Sequence, residues 1–99
     1  MVHDVNILGI QVQATPTITL EQAKALGYHT VLYHATMRSS DGLAVRARVN
    51  GKPKVWKREP ECVRVPMKHG LRHYFYITQY ELEDWCLTDP TVKQEVTNA

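Results

Sequence analysis

The stretch Leu43-Ala44-Val45-Arg46-Ala47-Arg48-Val49-Asn50-Gly51-Lys52-Pro53-Lys54-Val55-Trp56-Lys57-Arg58 decides how the chain folds. Leu43, Val45, Ala47 and Val49 recur at every second position with Arg46 and Arg48 between them, the period of a half-buried strand. Asn50-Gly51 follows at once. After an alternating run this pair signals a hairpin, because both residues tolerate positive φ. Residues 54–58 then read as the return strand, and Pro53 at its start points to a sheet edge. The register depends on the loop. A three-residue loop, Asn50-Gly51-Lys52, sets Val49 opposite Pro53 and Ala47 opposite Val55, and gathers Arg46, Arg48, Lys54, Trp56 and Arg58 on the other face. A two-residue loop mixes the faces, since a slip of one residue turns every side chain over. The three-residue register is preferred because it separates apolar from basic residues.

Working upstream, Leu8, Ile10, Val12 and Ala14 alternate with polar or small residues, a strand that stops at Pro16. Thr19 stands three residues before Gln22 in a capping-box pattern, Leu20, Ala23 and Leu26 follow at helical spacing, and Gly27 ends a helix over 19–26. Residues 29–36 are rich in β-branched and aromatic side chains and predict a strand. Ser39-Ser40-Asp41-Gly42 is a turn cluster. Downstream, Glu59-Pro60-Glu61 breaks the chain. Val63, Val65 and Met67 alternate in a strand ended by His69-Gly70, and residues 73–78 form another. Residues 81–87 fit either a helical turn or a short closing strand.

The expected fold is α+β: a small, mainly antiparallel curved sheet or barrel of about six or seven short strands with one short helix against it. Residues 1–87 form the single domain, and 88–99 a polar C-terminal tail. The expected core is Leu8, Ile10, Val12, Leu20, Leu26, Val31, Leu43, Val45, Val55, Val65, Met67, Phe75 and Ile77.

With 99 residues, 43% hydrophobic and 22% charged, the composition is that of one soluble globular domain and excludes wholesale disorder. No stretch approaches the length of a membrane span, and no secretory h-region follows Met1. Two cysteines are too few for a disulfide scaffold and point to a reducing cytoplasm. The net charge of +2 conceals a segregation. Residues 38–72 hold ten Lys and Arg against three Asp and Glu, whereas 73–99 hold one against five. A basic middle of this kind favours polyanionic partners.

Cations around one indole can follow a phosphate backbone while a base stacks on the ring. The candidate nucleic-acid-binding residues are therefore Arg46, Arg48, Lys54, Trp56, Arg58, Arg64, Lys68 and Arg72. Tyr74 and Tyr76, which share a strand face beside Arg72, would extend the stacking surface. The alternative places Trp56 in the core or along an edge, with its cations merely solvated. Cys62, His69, His73 and Cys86 have the ligand types of a zinc site but lack a Cys-x2–4-Cys knuckle, and Gly70 argues against a helix presenting both histidines, so no metal is expected. There is no glycine-rich phosphate loop, no Gly-x-Ser-x-Gly elbow and no His-Glu-x-x-His. Glu81, Glu83 and Asp84, set among Tyr80, Leu82 and Trp85, read as an amphipathic edge. No enzyme activity and no cofactor are expected.

The run from Arg46 to Lys57, with Arg64-Val65-Pro66-Met67-Lys68-His69-Gly70-Leu71 after it, resembles short uncharacterised proteins of phage and other mobile elements over roughly residues 27–78. The resemblance implies a small accessory protein acting in the cytoplasm of a bacterial cell, and it carries over no site residue. The resulting expectation is a non-enzymatic binding module whose basic 43–72 surface engages DNA or RNA. The competing expectation is an interaction module docking an acidic surface of a partner protein.

Overall fold

Thr19 caps helix α1 (Leu20–Lys24) with both halves of the expected capping box. Gln22 N–H donates to the Thr19 hydroxyl at 3.1 Å, and Thr19 N–H donates to Gln22 Oε1 at 2.9 Å. The structure is a computed structural model and describes residues 15–92, together with two short antiparallel strands, β1 (Asn6–Ile7) and β2 (Ile10–Gln11). Most of the strand expected over 8–14 lies outside the described residues, Leu8 and Val12 included; the backbone at Ile10 pairs with Ile7.

The main sheet contains β3 (Val31–Arg38), β4 (Ala44–Val49), β5 (Lys54–Val55), β6 (Val63–His69), β7 (His73–Thr78) and β8 (Trp85–Cys86), all paired antiparallel. Strand β3 begins two residues later than expected because His29 takes a φ of 70° in the loop after the helix. Residues 82–84 form a 3-10 turn that leads directly into β8, so both readings of 81–87 hold in succession. Residues 88–92 include a hydrogen-bonded turn at Asp89, and 93–99 lie outside the described residues. No helix among the described residues is long and apolar enough to cross a membrane.

The hairpin expected over 43–58 does not form. Strands β4 and β5 do not pair with each other; both pair with β6, with Val49 opposite Met67 and Lys54 opposite Arg64. Since β7 covers β6 along its length on one side, β4 and β5 share the other side and run in the same direction. They are one strand interrupted by a bulge. From Val49 to Lys54 is five steps and from Met67 to Arg64 three, so the bulge holds two extra residues. Neither Asn50 nor Gly51 has positive φ, so the backbone of a tight hairpin turn is absent there. Asn50 N–H instead donates to the Pro66 carbonyl at 2.8 Å, and a Cβ on Gly51 would stand 2.9 Å from Pro66 Cγ. Gly51 is needed for close approach. Pro66 in turn is tolerated inside the sheet because its missing N–H falls beside the bulge.

From β7 the order across the sheet is β6, β4, β3, β8, and beyond β8 Thr17 bridges to Cys86. Among the described residues no ladder joins the two ends, so the sheet is open and not a closed barrel. Its inner face carries Leu32, Ala47, Val49, Val63, Val65, Met67 and Ile77; α1, which ends at Lys24 rather than at 26, closes over it through Ala23, and Leu26 follows from the turn beyond. Trp85 completes this core: its ring stacks on Phe75 and meets His34 edge-on. The expected core is confirmed at Leu26, Val65, Met67 and Ile77, and Leu20 and Phe75 are half-buried against it. Val45 is half-buried. Val31, Leu43 and Val55 are exposed, a correction: Val31 pairs with Arg48 on the outer face while Leu32 faces inward, Leu43 lies in the turn before β4, and Val55 sits on β5, which pairs only with β6 among the described residues. Three extra residues in β3 between Tyr33 and Arg38 break its register with β4 beyond Tyr33.

Candidate nucleic-acid interface

Strand alternation sends Val63, Val65 and Met67 into the core and turns Arg64, Pro66 and Lys68 outward. Cross-strand neighbours share a face. One row therefore runs Val31, Arg48, Lys68, Tyr74 across β3, β4, β6 and β7, and another runs Lys54, Arg64, Thr78 across β5, β6 and β7. Pro66 and Tyr76 lie between these rows, and Arg46 extends the first one step further beside Tyr33.

The aromatic rings on this face are interleaved with cations. Arg64 lies between two of them, with its guanidinium carbon 5.7 Å from the Trp56 ring centre and 5.2 Å from that of Tyr76. Lys54 Nζ is 5.1 Å from Trp56, and Lys68 Nζ is 5.2 Å from Tyr74. Contacts at these distances are cation–π interactions, each worth about 0.5–1 kcal/mol at an exposed site. Among the described residues the one ion pair joins Lys24 and Glu21, so none of the face cations is neutralised by a carboxylate within 4.0 Å. Such a face offers positive charge and open π surfaces together.

Six of the eight residues singled out from the sequence meet here: Arg46, Arg48, Lys54, Trp56, Arg64 and Lys68. The other two do not join them through a ladder. Arg58 follows β5 in a bend, and Arg72 sits in the turn between β6 and β7; both are exposed. Trp56 is half-buried and lies outside the core cluster. Tyr74 and Tyr76, kept apart from the candidate set by the sequence reading, belong to the same face and are 59% and 57% exposed. Their signal was the Tyr-x-Tyr spacing, which sends both rings to one side of a strand.

The zinc-like set does not converge. Cys62 precedes β6 and His69 ends it, about 23 Å apart at the strand rise. Cys62 Sγ accepts from Gln79 Nε2, Cys86 is buried opposite Tyr33, and His69 Nδ1 donates to the Arg46 carbonyl at 2.8 Å. No three His, Cys, Asp or Glu side chains come together among the described residues. Burial, followed by Glu59 beside it, pushes the Cys62 thiol up from its ordinary value, and burial does the same for Cys86. Comparison with family models, curated proteins and solved structures found no match to the chain.

Proposed function

We propose that the protein is a non-enzymatic binding module that engages DNA or RNA through the outer face of its sheet. One observation carries this reading: Arg46, Arg48, Lys54, Arg64 and Lys68, none of them ion-paired among the described residues, lie with the Trp56, Tyr74 and Tyr76 rings on one surface. Unpaired cations release counterions when they meet phosphates, and aromatic rings stack on bases of any sequence. Two free thiols suit the reducing cytoplasm in which such a module would act.

The test is the double variant Arg46→Ala/Arg48→Ala. Both side chains are exposed, and exposed substitutions shift stability by no more than about 0.5 kcal/mol each. The variant should keep its melting profile, bind a mixed-sequence oligonucleotide more weakly, and lose about one unit of salt slope per phosphate contact removed. Unchanged affinity and slope would place the interface elsewhere. Retention of a defined protein after nuclease treatment of a pull-down, with no oligonucleotide binding, would favour an acidic protein partner instead.

A further inference from the structure

We infer that this face takes single-stranded rather than duplex nucleic acid and seats two to four nucleotides, with phosphates held at the Lys68 end and a base stacked at the Trp56 end. The inference rests on the polynucleotide reading above and adds which form binds and in what orientation. Lys68 and Arg64 stand four residues apart on β6, about 13 Å at the strand rise. That span holds about four nucleotides at the 3.4 Å rise of a stacked strand, or two if the bases are drawn apart to twice that spacing.

The two ends differ chemically. Around Lys68 a surface depression of about 310 Å³ is lined by Arg46, Arg48 and Lys68, with Val31 and Leu71 as its apolar walls and no carboxylate. It is suited to phosphate. Around Arg64 a second depression of about 320 Å³ has Trp56, Glu59, Arg64, Thr78 and Tyr80 among its lining residues. A phosphate there would meet the Glu59 carboxylate, whereas a base could lie against the Trp56 ring and donate a ring N–H, such as that of thymine N3, to that carboxylate. Tyr74, opposite Lys68, and Tyr76, opposite Pro66 on the way to the Trp56 end, are two residues apart on one strand, about 6.8 Å, a spacing matched by unstacked bases.

Duplex DNA meets this surface poorly. Its base faces are covered by stacking, and only groove edges and phosphates remain accessible. The face spans β3, β4, β6 and β7, three inter-strand gaps of about 4.8 Å, and so is broader than a major groove about 12 Å wide. A duplex could touch the cations but could not reach the rings.

The experiment titrates the full chain with fluorescein-labelled oligothymidylates of 2, 4, 6 and 8 nucleotides and with a 16-base-pair duplex, following anisotropy and tryptophan emission. Single strands should bind at least about fivefold tighter than the duplex, the difference set by loss of one stacked base. Affinity should rise steeply up to about four nucleotides and only slowly beyond, with a salt slope near −0.7 per phosphate engaged. Tryptophan emission should be quenched on binding, and Trp56→Phe should remove that quenching while retaining a ring for stacking. Trp56→Ala and Tyr76→Ala should each weaken binding roughly 5- to 100-fold. Equal or tighter binding of the duplex, or saturation by oligothymidylate with no change in Trp56 emission, would overturn the single-strand inference and leave the polynucleotide reading standing. If neither nucleic acid binds while poly-glutamate does, both fail together.

Discussion

The two tryptophans make opposite predictions under the same truncation. Trp85 is 7% exposed, its ring stacked on Phe75 with centroids 5.7 Å apart and met edge-on by His34 at 5.0 Å. Replacing it by Ala removes a large part of a small core and should cost about 3–5 kcal/mol. A domain of this length has a total stability of about 5–15 kcal/mol, so the loss is a substantial fraction of the whole. At about 4–8 °C per kcal/mol, the midpoint should fall by roughly 12–40 °C.

Trp56 touches the sheet differently. Its ring contacts two cations, Lys54 and Arg64, and it has no place in the core cluster. Trp56→Ala forfeits two exposed cation–π contacts of about 0.5–1 kcal/mol each, which sets its cost at about 1–2 kcal/mol. The expected midpoint shift is roughly 4–16 °C. Thermal melts by far-ultraviolet circular dichroism measure both variants, and acrylamide quenching separates the half-buried indole of Trp56 from the buried one of Trp85. A Trp56→Ala protein that melts as low as Trp85→Ala would refute the reasoning: Trp56 would then be a core residue, and the outer face would lose its stacking centre.

Three further outcomes follow from local geometry. Gly51→Ala places a Cβ 2.9 Å from Pro66 Cγ and should destabilise by about 1–3 kcal/mol; Pro66→Ala in the same chain should recover part of the loss in chemical denaturation, as a close-approach role requires and a turn role does not. Thr19→Ala removes the acceptor for Gln22 N–H and should cost about 0.5–2 kcal/mol by the same assay. Asp41 accepts from the Ser39 hydroxyl and from Leu43 N–H, which hold its carboxyl below the ordinary value; stability it contributes is complete above the unfolded pKa of about 3.9 and is lost as pH falls through the folded value, so Asp41→Asn should flatten the acid limb of a plot of melting temperature against pH.

What could be read from the sequence divides by range. The capping box at Thr19 and Gln22 and the turn at Ser39-Ser40-Asp41-Gly42 are set by residues a few positions apart, and the structure has both. Alternation in β6 and β7 was equally legible because one phase is plainly apolar. In β3 it was not: Val31, Leu32 and Tyr33 are all strand-forming, so either phase satisfied the pattern, and the three extra residues beyond Tyr33 leave no local mark. Trp85 is absent from the expected core, since it follows Glu83 and Asp84 in a stretch that reads as an amphipathic edge, yet the pairing of β8 with β3 carries it into the core. Asn50-Gly51 misled for the same reason. The pair fits a hairpin by local preference, but β6 offers its free side to both flanking segments, and pairing with β6 outweighs a two-residue turn signal.

The outer face nevertheless brings together Arg46, Arg48, Lys54 and Trp56 of the five residues expected to share it, without Arg58, and parity explains why. A three-residue hairpin loop would place Lys54 opposite Arg48, on the same side as Arg46. A two-residue bulge along β6 also leaves Lys54 on the side of Arg48, since an even number of extra residues restores the alternation. An odd bulge would have turned Lys54 to the side away from Arg48, dispersing the cations. The face therefore depends on the count of residues between Val49 and Lys54 and not on the turn they make. Gly51 allows that count to be accommodated, because only a residue without a Cβ lets the bulge close against Pro66. The steric need at one glycine thus holds Lys54 next to Arg64, and with it the cations that flank Trp56.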